Sequence, residues 1–100
     1  MPYSYTLAQH GTTLATRPFA ERLRAEVIQE AADCQLVELD FADVLSTSHS
    51  FADEFVAQMA EESKDGAVGF KVAVINTAPT VEARIAKALE LRSVRLFELA

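Results

Sequence analysis

The chain is sparing with several residue types, and each scarcity excludes something. It has one cysteine, Cys34, no tryptophan, and only three glycines and three prolines in 100 residues. A lone thiol rules out an intramolecular disulfide and any two-cysteine zinc pattern, so a reducing, cytoplasmic setting is expected. So little Gly and Pro excludes a collagen-like or low-complexity chain. No apolar run approaches the roughly 18 residues of a membrane span, and no charged start leads into an apolar signal core. Basic clusters are also missing: nine Lys and Arg are dispersed among fifteen Asp and Glu, for a net charge of −6. That balance repels nucleic acid and anionic bilayers, so neither is an expected partner. Half of the residues are hydrophobic, which suits a single packed domain over residues 1–100.

The pattern along the chain predicts an α/β domain. Tyr3 to Leu7 carries β-favouring residues, His10-Gly11 offers a turn, and Thr12 to Ala15 is a return strand, which together read as an opening hairpin. Thr16 is placed to cap a first helix that tolerates Pro18 in its first turn and repeats Phe19, Ala20, Leu23, Val27, Ile28 and Ala31 at helical spacing. Leu36 to Phe41 is a short strand leading to the polar run Ser46-Thr47-Ser48-His49-Ser50. Phe51, Phe55 and Met59 then mark the apolar face of a second helix, expected to begin at Ser50 and to stop at Lys64-Asp65-Gly66. Phe70 to Ile75 reads as an interior strand. Thr80 caps a third helix facing the core with Val81, Ile85, Ala88 and Leu89, and Val94 to Leu99 is a last strand. The expected order is β-β-α-β-α-β-α-β, a mixed sheet of about four to five strands with about three helices. The Ser-rich loop falls at the C-terminal end of a central strand, where open α/β sheets place functional contacts.

Three stretches carry a family resemblance: Gly11-Thr12-Thr13-Leu14-Ala15-Thr16-Arg17, Val37-Glu38-Leu39-Asp40-Phe41-Ala42-Asp43-Val44 and Ser48-His49-Ser50-Phe51-Ala52-Asp53-Glu54. In order and spacing they resemble the STAS-like domain family of unknown function, a relative of anti-anti-sigma factors. The resemblance implies a regulatory, partner-switching domain without a cofactor. Its implied partner is a histidine-kinase-like ATPase that phosphorylates a Ser or Thr in the strand-to-helix loop. Carried over from the Asp40 strand, the anti-anti-sigma Asp-Ser-Ser-Gly stretch falls on Ser48, His49, Ser50 and Phe51. Ser50 then corresponds to the phosphoacceptor, with Ser48 as a second candidate; the acidic residue before the serines and the glycine after them are both replaced here.

Each candidate also has a plainer reading. Ser50 followed by Asp53 resembles a capping box with a shortened acid. A phosphate there adds roughly −1.5 to −2 charges beside Asp53 and Glu54, an off signal for a partner that fits the neutral loop. His49 is isolated and reads as an exposed loop residue, and His10 as a hairpin-turn residue. Asp40 and Asp43 lack a third converging ligand for Mg²⁺, so no metal is expected, and Asp40 reads as a support for the loop backbone. Cys34 reads as a small, partly buried residue. Arg17 makes a surface ion pair or reaches a carboxylate such as Asp40 or a partner group.

The sequence therefore predicts a non-enzymatic interaction domain with Thr47, Ser48, His49, Ser50, Asp53, Glu54 and Arg17 as its partner-binding residues. The alternatives are an unphosphorylated interaction subunit, including a homo-oligomer through the sheet edge, and a small ligand-binding domain or enzyme built on Ser50, His49 and Asp53. Those three lie too close together along one helix start to form a catalytic relay.

Overall fold

The computed structural model describes residues 2–99. Its main sheet is formed by β1 (Tyr3–Thr6), β3 (Leu36–Asp40), β5 (Lys71–Ile75) and β6 (Glu98–Leu99), in that order. A second, two-stranded sheet pairs β2 (Thr13–Leu14) with β4 (Ser46–Thr47). The first helix spans Arg17–Glu30 and the last Pro79–Arg92. Between them in the chain runs a central helix, residues 49–64, made of an α-turn at His49–Phe51, a π-helical stretch at Ala52–Ala57 and a regular α-helix at Gln58–Lys64.

The α/β class and the three helices follow the sequence pattern, but the opening hairpin does not form. Tyr3 to Thr6 instead pair in parallel with Val37 to Asp40, and Thr13-Leu14 pair in parallel with Ser46-Thr47. The remaining pairings, β3 with β5 and β5 with β6, are parallel too. The antiparallel component expected of the sheet therefore has no counterpart among the described residues. The reason lies in Leu7: a hairpin turning at His10-Gly11 needs it extended, whereas Leu7–His10 coils into a 3₁₀ turn that buries the Leu7 side chain completely. Gly11, at φ 141°, then redirects the chain in a conformation that side chains disfavour. His10 belongs to that turn and stacks on Tyr5.

In parallel strands added in chain order, crossovers of the usual right hand all fall on the same face of the sheet. Val37, Leu39, Val72 and Val74 alternate onto that face, each at 3% exposure or less, and meet Leu23, Val27, Phe51, Phe55, Met59 and Ile85 in one core. Burial of each large apolar side chain contributes about 1.5–3 kcal/mol. The central helix packs between the first and last helices. β6 covers only Ala73 and Val74 of β5 and is much shorter than the expected 94–99 strand. Cys34 is half-buried against the core.

Candidate functional site

The strand-to-helix loop leaves β3 at Asp40, whose Oδ1 accepts from the backbone N–H of Ala42 at 2.9 Å and from Asn76 Nδ2 at 3.0 Å. These bonds tie the C-terminal ends of β3 and β5 and hold the start of the loop. Asp43 is exposed at φ 68°, and no cluster of three His, Cys, Asp or Glu side chains suited to a metal occurs among the described residues. The loop then runs beside β2, with Leu45 and Ser46 both donating N–H bonds to Thr12 O.

The start of the central helix differs from the expected one by two residues. Ser48, not Ser50, is the N-cap: its Oγ accepts from Phe51 N at 3.0 Å and its hydroxyl donates to Ala15 O at 2.5 Å. Both functions of that hydroxyl are thus spent inside the domain. Ser50 lies in the first turn, half-exposed, and no hydrogen bond among the described residues engages its hydroxyl. Phe51 turns fully inward, which removes its bulk from the loop surface. His49 is half-buried rather than an exposed loop residue. Thr47, expected among the partner-binding residues, is turned inward by the pairing of β4 with β2, leaving 6% exposed. Leu45, which sequence reading passed over, is 70% exposed on the same loop.

Asp53 and Glu54 do not present bare carboxylates. Arg92, from the end of the last helix, binds Asp53 through two bonds, Nε to Oδ1 at 2.6 Å and Nη2 to Oδ2 at 3.0 Å. Arg92 also reaches Glu61 at 3.0 Å and Gln58. Arg24, from the first helix, binds Glu54 Oε2 at 2.7 Å and Glu62 at 2.9 Å, and its Nε donates to the Glu54 carbonyl inside the π-helical stretch. Arg17 completes the clamp on Asp53 at 2.8 Å and Glu54 at 3.1 Å. Arg17 therefore meets helix carboxylates and not Asp40.

Hydrogen bonding to Arg92, reinforced by Arg17 against the cost of burial, lowers the Asp53 pKa to about 2. Burial opposes ionisation of Glu54, but the bonds from Arg24 and Arg17 hold it below its ordinary value. Two-bond pairing of Arg with carboxylate is the geometry that fixes orientation as well as charge. Sequence reading missed Arg24 and Arg92. A partial signal existed in Arg17 and Arg24, seven residues apart, facing acidic pairs 53/54 and 61/62, eight apart; nothing local pointed to Arg92.

Around the loop and the helix start, then, lie an apolar Leu45, a Ser50 hydroxyl with no hydrogen bond among the described residues, the capping Ser48 and the exposed edge of the clamp at Arg17. No curated protein and no solved structure matches the chain. A family model described as a STAS-like domain of unknown function matches residues 20–82, which include most of the first helix, β3, the loop and the whole central helix. Since that match spans more than half of the chain, the protein belongs to the STAS-like domain family.

Proposed function

We propose that this domain is a regulatory protein-binding module of the partner-switching kind, without enzymatic activity of its own, and that Ser50 is its phosphoacceptor. The observation that carries the reading is the division of labour between the two serines. Ser48 is fully occupied by the N-cap, whereas Ser50 sits within the first turn with a hydroxyl that no hydrogen bond among the described residues engages. A phosphoryl group on Ser50 meets the positive end of the helix dipole and the N–H groups of the first turn. The inward Phe51 leaves approach to Ser50 unobstructed by its ring, and exposed Leu45 supplies an apolar anchor for the partner.

The partner proposed is a histidine-kinase-like ATPase, which both binds this surface and phosphorylates it. Because Asp53 and Glu54 are already paired, simple repulsion from them is not the switch. Asp53 lies three residues beyond Ser50, on a neighbouring part of the helix surface, and its partner Arg17 is 44% exposed. A phosphate competes with Asp53 for Arg17 and changes both the charge and the contour of the surface offered to the ATPase.

Incubation with such an ATPase and Mg-ATP, followed by phosphosite mass spectrometry, is expected to place one phosphoryl group on Ser50 and none on Ser50→Ala. Ser50→Asp is expected to bind the ATPase more weakly than wild type. Absence of any phosphorylation, together with equal binding by Ser50→Asp, overturns the proposal.

A further inference from the structure

At the opposite end of the central helix a second surface has the reverse character. Lys64 ends that helix, Lys71 begins β5, and Arg95 follows the last helix, and the three converge on a groove. The groove opens into two adjoining cavities of about 250 and about 310 Å³, both bounded by Lys64 and Arg95. Val72 and Leu96 line the first, and Phe97, 60% exposed, stands beside it with Lys71 Nζ 5.2 Å from its ring centre.

Three of nine basic residues thus share one groove in a chain of net charge −6. Among the described residues none of them makes an ion pair, although Asp65 and Glu98 are close in sequence. Lys64 has a structural account, since a cation in the last turn complements the helix dipole. That account reaches neither Arg95 nor the exposed Phe97.

We propose that this groove is a docking site for an acidic segment of a partner protein, carrying an apolar residue to lie against Phe97 and Leu96. Charge complementarity selects the occupant: the groove attracts carboxylates locally, while the acidic remainder of the molecule repels a long polyanion such as nucleic acid. The site stands apart from Ser50, because a helix of this length separates the two ends by about 24 Å. It does not depend on phosphorylation.

The test is fluorescence anisotropy with a short labelled peptide alternating Glu and Leu, a matched peptide with Lys in place of Glu, and a labelled single-stranded oligonucleotide. The Glu peptide is expected to bind saturably, more weakly as salt is added, and about tenfold more weakly to Lys64→Ala/Arg95→Ala. Phe97→Ser is expected to weaken it as well, and Ser50→Asp to leave it unchanged. Thermal melting of each variant checks the fold, and Lys71→Gln serves as the replacement if the double variant melts early. Failure of the Glu peptide to bind, equal binding of the Lys peptide or the oligonucleotide, or undiminished binding by the fold-competent variants overturns the proposal. None of those results touches the Ser50 reading, which rests on phosphorylation.

Discussion

Arg92 and Arg95 lie three residues apart, at the end of the last helix and just beyond it, yet they occupy opposite electrostatic situations. Arg92 is held by Asp53, Gln58 and Glu61, whereas Arg95 has no carboxylate partner among the described residues. The same contrast separates Arg17 and Arg24 from Lys64 and Lys71. One set of cations closes the helical layer by clamping the central helix, and the other faces solvent around a groove. Charge type alone thus says little about role; what distinguishes the two sets is whether the fold supplies the counter-charge.

The largest expected effect tests the clamp. Arg92→Ala leaves Asp53, only 13% exposed, with Arg17 as its remaining partner and is expected to lower unfolding free energy by about 2–3 kcal/mol, since losing the two-bond member of a desolvated cluster is costly. Urea denaturation of Arg95→Ala alongside it is expected to show a change within about 0.5 kcal/mol. Equal losses would erase the contrast.

Next comes acid. Asp53 has a folded pKa of about 2 against an ordinary 3.8, so its contribution, roughly 2 kcal/mol, is complete above the ordinary value. As pH falls from about 4 toward 2 the contribution is lost, because the unfolded chain takes up the proton first. Stability measured across that window is expected to fall in wild type and to fall less steeply in Arg92→Ala.

The smallest effect separates the two serines. Ser48→Ala removes the cap and is expected to cost about 1 kcal/mol, while Ser50→Ala changes stability by only a few tenths. Thermal denaturation of the pair resolves the difference, and a larger loss at Ser50 would return the cap to that residue.

The helices and the two interior strands were legible because their apolar spacing is local. Leu23 with Val27, and Ile85 with Leu89, are enough to orient a helix. The hairpin misled because β1 chooses its partner through the tertiary burial of Tyr5 and Leu7, and no neighbouring residue records that choice. The cap slipped from Ser48 to Ser50 because both serines offer an oxygen, and only the position of Ala15 O decides between them. The clamp was half legible at best, since its Arg92 arm comes from a helix nearly forty residues away. Exposed Leu45 and Phe97 were indistinguishable from core residues by composition.

The π-helical stretch has its own trace in the sequence. The apolar pairs Phe51-Ala52, Phe55-Val56 and Met59-Ala60 recur every four residues, and in a regular α-helix each such step overshoots by about 40°. A wider turn keeps all three pairs on the core while Asp53 and Glu54 stay on the arginines. The regular helix that follows tolerates no such adjustment. Inserting one residue between 58 and 61 rotates everything beyond it by about 100°, swinging Glu61 and Glu62 off Arg92 and Arg24. Length variation in this protein is expected to be tolerated at the surface turn near Asp65 and Gly66 and rejected within the helix.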